Sequence, residues 1–310
     1  MDTKIEYCDA SWDPWRGCTE VSPGCANCYA RELSHRNPAV FGSWGRGAPR
    51  VKSKGWHQPI LWDRKAAQAG EPLWVFPSKC DWLDEEVPIE WLGQFLDLIN
   101  ATPHLRWLLL SKRPGAWIDR MVLAGRWANE EGKVGAGSVG DMIEGWIQGQ
   151  PPANVWVGTS VEDQQRTSRL PQVLAIPAAL RFLSVEPLLG PVDLSEWLEI
   201  DTRVDPGPHG EGVETDIGQQ INWVIVGGES GRLARPCNVE WVQAVIRQCK
   251  QAEVPVFVKQ LGANAVCDRE PARPWRGLTC LSNTLRHPKG GDPSEWPADL
   301  RVRQFPEERR

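Results

Sequence analysis

Three cysteines in one short N-terminal loop are the residues best suited to chemistry. The loop spans residues 15–30 and spaces its cysteines as C-x6-C-x2-C. Three thiolates can hold three irons of a 4Fe–4S cube and leave the fourth iron open to a small molecule. A Pro-Gly turn precedes the second cysteine, so the backbone can fold round a compact ligand. The predicted metal ligands are Cys18, Cys25 and Cys28.

The spacing leaves two other interpretations open. A C-x2-C pair can also be half of a zinc site, and structural zinc takes four ligands. Cys8, ten residues before Cys18, is the obvious fourth candidate, and the chain has no second C-x2-C or H-x3-H pair. Spacing alone therefore also allows a structural zinc ion or three unligated thiols.

Composition narrows the class of protein. The chain has 310 residues, of which 41% are hydrophobic, and a mean hydropathy of −0.41, as in soluble globular proteins. It contains no run of eighteen apolar residues and no apolar signal core at its N-terminus, so we expect a cytoplasmic protein that does not contact a membrane. Nine cysteines in such a chain indicate reduced thiols, metal or chemistry rather than a disulfide framework.

A basic loop follows the cysteines. Residues 31–65 carry eight Lys and Arg against two acidic residues, a net charge of +6, whereas the remainder of the chain carries −11. Four aromatic residues are interleaved with these cations, and cations beside aromatic faces suit phosphate contacts and base stacking. A solvated basic loop is the alternative. Nucleic acid is therefore a candidate partner, with phosphate contacts expected from Arg50, Lys52 and Lys54.

Six short apolar runs predict buried strands. They are continuous rather than alternating, as is typical of parallel strands covered on both faces. Amphipathic helical patterns follow several of the runs. This alternation predicts right-handed βαβ units and an α/β fold, a full or partial TIM-type barrel, with a short extra strand near residues 5–12. The runs lie at residues 73–76, 107–110, 155–157, 180–183, 222–226 and 254–258, and the helical patterns at residues 89–99, 114–127, 161–174 and 239–252.

The same pattern predicts the domain organisation. We expect one barrel domain over residues 1–263, with a C-terminal extension over residues 264–310 packed on it. Two glycine-rich stretches, residues 130–153 and 199–220, are predicted as inserted loops.

Polar residues follow every predicted strand, at the end where parallel barrels carry their chemistry. The sharpest of these motifs is Gly-Gly-Glu after the fifth run. Its glycines, Gly227 and Gly228, would let the backbone approach a ligand, and the Glu229 carboxylate could receive an ammonium or hydroxyl group. A strand-to-loop bulge with a solvated carboxylate is the alternative. Together the strand ends predict a polar site.

With these motifs the chain resembles the three-Cys-motif, phage-type radical-SAM-like proteins, a bacterial and bacteriophage family of unknown function. The resemblance implies a 4Fe–4S cluster on the three loop cysteines inside a TIM-like barrel. The chain departs from the radical S-adenosylmethionine superfamily in two respects. The usual cysteine spacing there is C-x3-C-x2-C, whereas here it is C-x6-C-x2-C. The usual glycine-rich Glu motif follows an early strand, whereas the Gly-Gly-Glu motif of this chain comes late. The matching segments are residues 11–30, 108–114, 155–163, 181–191, 223–231, 255–260 and 297–306.

The resemblance also implies a reaction. S-adenosylmethionine would bind the open iron, and its reductive cleavage would give a 5′-deoxyadenosyl radical that abstracts hydrogen from substrate. A flavodoxin- or ferredoxin-like electron donor would then be a partner. Our first hypothesis is such an enzyme, modifying or repairing a nucleic acid or nucleotide-like substrate. The residues assigned to it are Glu186, Glu229 and Lys259 for catalysis; Ser160, Ser184, Gly227, Gly228 and Glu229 for the cofactor; and Lys112 and Arg113, with the three cations of the basic loop, for the substrate.

Two alternatives stay open. One is a non-enzymatic nucleic-acid-binding protein, with structural zinc on Cys8 and the three loop cysteines. The other is a barrel enzyme of another class with a redox-inert metal.

Overall fold

The structure is a computed structural model of the chain, and it describes residues 3–198, 200–206, 212–219, 221–267 and 285–306. Strands and helices alternate through most of these ranges. The strands are β1 (Trp15–Arg16), β2 (Val51–Lys52), β3 (Leu73–Val75), β4 (Leu105–Ser111), β5 (Val155–Ser160), β6 (Leu180–Val185), β7 (Ile200–Pro206), β8 (Gly212–Gln219), β9 (Trp223–Gly227), β10 (Cys237–Asn238), β11 (Val256–Gln260) and β12 (Ala265–Val266). The α-helices are α1 (Tyr29–Arg36), α2 (Pro38–Phe41), α3 (Gln58–Ala69), α4 (Ile89–Asn100), α5 (Trp117–Glu130), α6 (Val139–Ile147), α7 (Leu170–Leu174), α8 (Ser195–Leu198) and α9 (Val239–Gln251).

The main sheet has six parallel strands in the order β3-β4-β5-β6-β9-β11. Each of the six predicted apolar runs overlaps one of these strands, so the α/β class and the parallel sheet are confirmed. In the described part of the chain β3 and β11 are the two end strands, so the sheet is open. This arrangement matches a partial TIM-type barrel rather than a full one.

The chain divides into two compact units. The first unit comprises residues 1–160 and 171–180, and the second comprises residues 161–170 and 181–310. In the first unit β3, β4 and β5 pair in parallel, and their inward residues form a core rich in tryptophan. Trp74 and Trp156 meet edge to face with ring centroids 4.3 Å apart, a geometry that aromatic pairs favour.

Helix α4 shows how sequence pattern gives packing in the first unit. Its apolar residues recur three and four apart, so one face of the helix is buried. Helix α5 packs closely against it, since a Cβ added at Gly93 would lie 2.1 Å from the ring of Trp127. Only glycine therefore fits at that crossing.

The second unit pairs β6, β9 and β11 in parallel. Asn238 caps helix α9, because its side chain accepts a hydrogen bond from the backbone of Glu240 at 3.0 Å. Residues 285–306 contact the same unit. The backbone of Val258 donates to Val302 at 2.8 Å, and the ring of Phe305 lies 5.2 Å from that of Phe257. Residues 268–284 and 307–310 of the predicted C-terminal extension lie outside the described residues.

Four predicted elements differ in the structure. Residues 130–153 contain helix α6, which Ser138 caps by accepting from the backbone of Asp141, rather than loop alone. Within residues 199–220, strands β7 and β8 form an antiparallel hairpin. Residues 161–174 form a 3₁₀ helix, Gln164–Arg169, followed by the short helix α7, instead of one long helix. The extra strand expected near residues 5–12 is reduced to a single bridge between Ala10 and Val75.

None of the helices in the described ranges combines the length and the apolar character needed to span a bilayer.

Candidate functional site

The cysteine loop lies in the first unit and is held at its start by strand pairing. Strand β1 pairs antiparallel with β2, which fixes the backbone just before Cys18. Gly17 follows with a φ of +100°, and the Cys18 carbonyl accepts from the backbone of Gly45 at 3.0 Å. A 3₁₀ turn carries Cys25, and Cys28 stands at the beginning of α1. The backbone therefore wraps as the glycine and proline positions predict.

The buried side chain of Arg50 holds the cysteine loop by hydrogen bonds. Its Nε donates to Asp84 at 2.8 Å and its Nη2 to Thr19 at 2.8 Å, and only 1% of its side chain is exposed. Thr19 in turn donates to Glu86 at 2.7 Å. A phosphate-binding role for Arg50 is not compatible with this burial. We correct its assignment to a structural one, because its charge is already paired with Asp84.

Arg113, at the end of β4, contacts the first cysteine directly. Both terminal nitrogens of its guanidinium lie 3.6 Å from the Cys18 sulfur, and one also donates to the Thr19 carbonyl. Asp81 accepts from Arg113 at 2.7 Å and from the backbone of Lys112 at 3.0 Å. Burial acts to lower the pKa of Arg113, but Asp81, Cys18 and Asp84 together outweigh it, and the pKa is raised overall. The guanidinium thus stays charged beside a thiol.

Two of the loop thiols, Cys18 and Cys28, have a pKa above the ordinary range. Burial raises the pKa of Cys18 to about 12, with Asp81 acting in the same direction and Arg113 against it. Burial also raises the pKa of Cys28, while hydrogen bonds from the backbone of Arg31 and Ala30 act to lower it. Because a thiolate is the metal ligand, any metal has to displace these protons.

A fourth thiol, which the sequence interpretation did not include, belongs to this region. Cys80 follows β3, and burial, then the charges of Asp13 and Asp81 and the neighbouring Cys18, raise its pKa well above the usual range. Cys8, the expected fourth zinc ligand, instead donates to the carbonyl of Ile5 at 3.8 Å. The signal for Cys80 was its place directly after a buried strand.

The donor chemistry of the loop fits a thiolate-bound cluster, but the side chains are not gathered for one. Among the described His, Cys, Asp and Glu side chains, no group of three or more is arranged to hold a metal ion. Cys25 and Cys28 lie close, since the backbone of Cys28 donates to the Cys25 carbonyl at 3.2 Å. Binding a cluster on the three loop cysteines would therefore need local movement of the loop or rotation of the thiols.

The other predicted substrate cations in the first unit lie nearer to solvent than Arg50. Lys52 donates to Gln94 and lies over the ring of Trp56, 5.0 Å from its centroid. Lys54 is exposed, and Lys112 is half-buried next to Arg113. Of these cations, Lys54 is the best placed for an external phosphate.

In the second unit, a charged pair stands at the ends of β6 and β11. Lys259 Nζ contacts both carboxylate oxygens of Glu186, at 2.7 and 2.8 Å, and the Gln260 amide donates to Glu186 at 3.4 Å. Both charged side chains keep partial access to solvent, 21% for Lys259 and 16% for Glu186. These two predicted catalytic residues are thus in contact.

The Gly-Gly-Glu motif has a packing role. A Cβ added at Gly228 would lie 2.2 Å from the carbonyl oxygen of Leu261, so protein backbone, not ligand, makes the close approach. The Glu229 carboxylate accepts from the backbone of Arg235 at 2.9 Å and from its guanidinium at 2.6 Å. We therefore correct the cofactor and catalytic assignments of Gly228 and Glu229 to structural ones.

The remaining predicted cofactor residues are enclosed. Gly227 packs on Gln260, since an added Cβ would lie 3.1 Å from its carbonyl oxygen. Ser184 is buried, and its carbonyl accepts from the backbone of Val161 at 3.0 Å. Ser160 is also buried, at the end of β5.

Comparison with known proteins gives a family without a function. The sequence model of the family DUF5131, described as a protein of unknown function, matches residues 2–284. No curated protein and no solved structure matches the chain.

Proposed function

Because the chain belongs to the DUF5131 family, whose function is unknown, we propose a function from its own residues: a radical S-adenosylmethionine-type iron–sulfur enzyme that modifies or repairs a nucleic acid or nucleotide-like substrate. The observation that carries this proposal is the cysteine loop with its guanidinium. Three cysteines in eleven residues lie in one wrapped loop, and Arg113 contacts the sulfur of Cys18. Hydrogen bonds and charge at cluster sulfurs are levers by which proteins tune such centres.

The cluster would be held by Cys18, Cys25 and Cys28 and would supply one-electron reduction of S-adenosylmethionine. Arg113 would offset the negative charge of the Cys18 thiolate while Asp81 holds the guanidinium in place. Thr19 and Arg50 would anchor the start of the loop next to Cys18, since both are tied to residues after β3. The buried guanidinium of Arg113 would interact with the Cys18 thiolate more strongly than it would in water.

Glu186 and Lys259 offer a complementary site for a zwitterion. The two side chains neutralise each other. A ligand with both an ammonium and a carboxylate could separate them, because its ammonium would pair with Glu186 and its carboxylate with Lys259, and no charge would be left unpaired. We assign this pair to a zwitterionic ligand, with Glu186 on its ammonium and Lys259 on its carboxylate.

The nucleic-acid part of the proposal draws on exposed cations of the basic loop. Arg36, Arg46 and Lys54 are exposed, unlike Arg50, and aromatic side chains are interleaved with them in sequence. Phosphate contacts from such cations are independent of sequence and depend on salt.

Anaerobic reconstitution with iron and sulfide tests the cluster. We expect about four irons per chain, and an EPR spectrum of the reduced protein that changes on addition of S-adenosylmethionine. Cys18→Ser should lose the cluster, whereas Cys8→Ser, the matched control, should keep it. Retention of about one zinc and no uptake of iron would favour a structural zinc site instead.

The variant Cys80→Ser further distinguishes a three-cysteine iron–sulfur cluster from a metal site with four thiolates. A three-cysteine cluster should survive this change, because Cys80 is not one of its ligands. Loss of metal in Cys80→Ser with retention in Cys8→Ser would indicate a four-thiolate site that includes Cys80, which has no open iron.

A further inference from the structure

A pocket of about 420 Å³ lies beside the cysteine loop in the first unit. Glu20, two residues after Cys18, forms one side of it, and helix α1 forms another with Arg31 and His35. Trp44, whose backbone forms an isolated β-bridge with that of Cys18, also lines the pocket. The volume lies within the range of small-molecule sites, about 300–1,000 Å³.

Two donors that line the pocket have no acceptor. The indole Nε1 of Trp44 and the Nε of Arg31 are both shielded from solvent, and neither has a hydrogen-bond partner within the described ranges. The other two nitrogens of Arg31 are occupied, one by Glu20 and one by the carbonyl of Ala26. Buried donors without partners are unfavourable and uncommon, so each calls for a physical reason.

The charge of the pocket favours a neutral ligand over an anion. Arg31 is already paired with Glu20, so its positive charge is compensated. The pocket therefore offers two N–H donors, one carboxylate acceptor and the indole ring of Trp44. A flat, neutral ligand with ring acceptors and one amino group complements all of these.

We propose that this pocket binds a nucleobase carrying an exocyclic amino group, with its ring acceptors on Trp44 and Arg31 and its amino group on Glu20. This inference deepens the proposed function, since it depends on a nucleic-acid substrate. Exposed Arg36 and Arg46 neighbour the pocket residues His35 and Gly45 in sequence and would meet the adjoining phosphates. Enzymes that act on bases extrude them into pockets of this kind.

Because the two donors are shielded from solvent, an incoming base can reach them only after side chains at the pocket move. Pairing the donors then recovers the free energy that their isolation costs in the free protein. The geometry therefore predicts binding with a side-chain rearrangement at the pocket.

The test is calorimetric titration of the full-length protein with deoxyguanosine, deoxyadenosine, deoxycytidine and thymidine. We expect binding of one or more of the first three, and at least tenfold weaker binding of thymidine, which has no amino group. Trp44→Phe keeps an aromatic ring but removes the N–H and the fused pyrrole ring, so it should weaken binding about 5- to 100-fold. Glu20→Gln should reduce the preference over thymidine, and a thermal melt of each variant checks that it is folded.

Two outcomes would overturn the inference. One is the absence of nucleoside binding, or equal affinity in the wild type and folded Trp44→Phe. The other is S-adenosylmethionine competing with the nucleoside in a manner sensitive to Trp44→Phe, which would make the pocket a cofactor site. Iron uptake by the cysteine loop is measured separately, so failure here leaves the cluster proposal to its own test.

Discussion

Arg113 and Asp81 form an ion pair beside Cys18 that is largely closed to solvent, with 9% of each side chain exposed. Replacing one partner leaves a buried charge without compensation, which costs about 3 kcal/mol or more. We therefore expect Arg113→Gln to lower the free energy of unfolding by about 3 kcal/mol in urea denaturation. The double variant Arg113→Gln/Asp81→Asn should recover part of this loss, because neither residue is then charged. Losses that simply add would show that the two residues are not coupled.

Two thiols outside the loop make stability depend on alkaline pH. Burial raises the pKa of Cys237 and of Cys249 to about 12. Above pH 9 the unfolded chain releases these protons while the folded chain retains them, so the free energy of unfolding falls as pH rises from about 9 towards 12. Cys237→Ala/Cys249→Ala should show a shallower fall over pH 8–11 in urea denaturation. The same slope in both proteins would assign the alkaline loss to other groups.

At the scale of elements, the path of the cysteine loop depends on Gly17. Its φ of +100° disfavours any side chain, and an added Cβ would lie 2.6 Å from the Ser43 carbonyl oxygen. Gly45 has a φ of +114° but no neighbour within 4 Å of such a Cβ. We expect Gly17→Ala to destabilise the protein by about 1–2 kcal/mol more than Gly45→Ala, measured by urea denaturation. Equal losses would show that the loop accommodates the clash.

The elements that the sequence predicted well are those with strong local patterns. The six apolar runs correspond to the six sheet strands. Helices α4 and α9 match their predicted bounds within a residue, because the spacing of their apolar residues indicates which face is buried. Helix α6 was missed because glycines surround a short apolar pattern. The hairpin of β7 and β8 was missed because an acidic, glycine-rich stretch carries little strand propensity.

Side-chain roles were harder to predict because they depend on distant partners. Arg50 was interpreted as a phosphate ligand, and its partner Asp84 lies 34 residues away in sequence. The sequence predicted that Glu229 binds a ligand, but its carboxylate is paired with Arg235. The following loop brings the two side chains together, and the sequence pattern does not show this. Local spacing places the three cysteines in one loop, whereas the approach of Arg113 to Cys18 spans 95 residues and follows only from the fold.

At the scale of the whole molecule, charge is distributed unevenly. Residues 31–65 carry +6 and the remainder −11, and Arg36, Arg46 and Lys54 are the exposed cations of that segment that we assign to phosphate. The overall charge would repel nucleic acid, so binding requires a local basic surface. We therefore expect the position of a charge, not the net charge, to determine the affinity for nucleic acid.

Matched charge reversals test that argument. Arg36→Glu/Arg46→Glu/Lys54→Glu and the control Arg126→Glu/Lys250→Glu/Lys289→Glu replace exposed cations in equal number, so both variants have the same net charge. Each lost phosphate contact lowers the slope of log K against log salt by about 0.9 on duplex DNA. We expect the first variant to lose about 2.7 of that slope, and the control to keep the wild-type slope, in fluorescence anisotropy titrations at several salt concentrations. Equal effects of the two variants would mean that net charge alone governs association, and the basic loop would then have no specific role in binding.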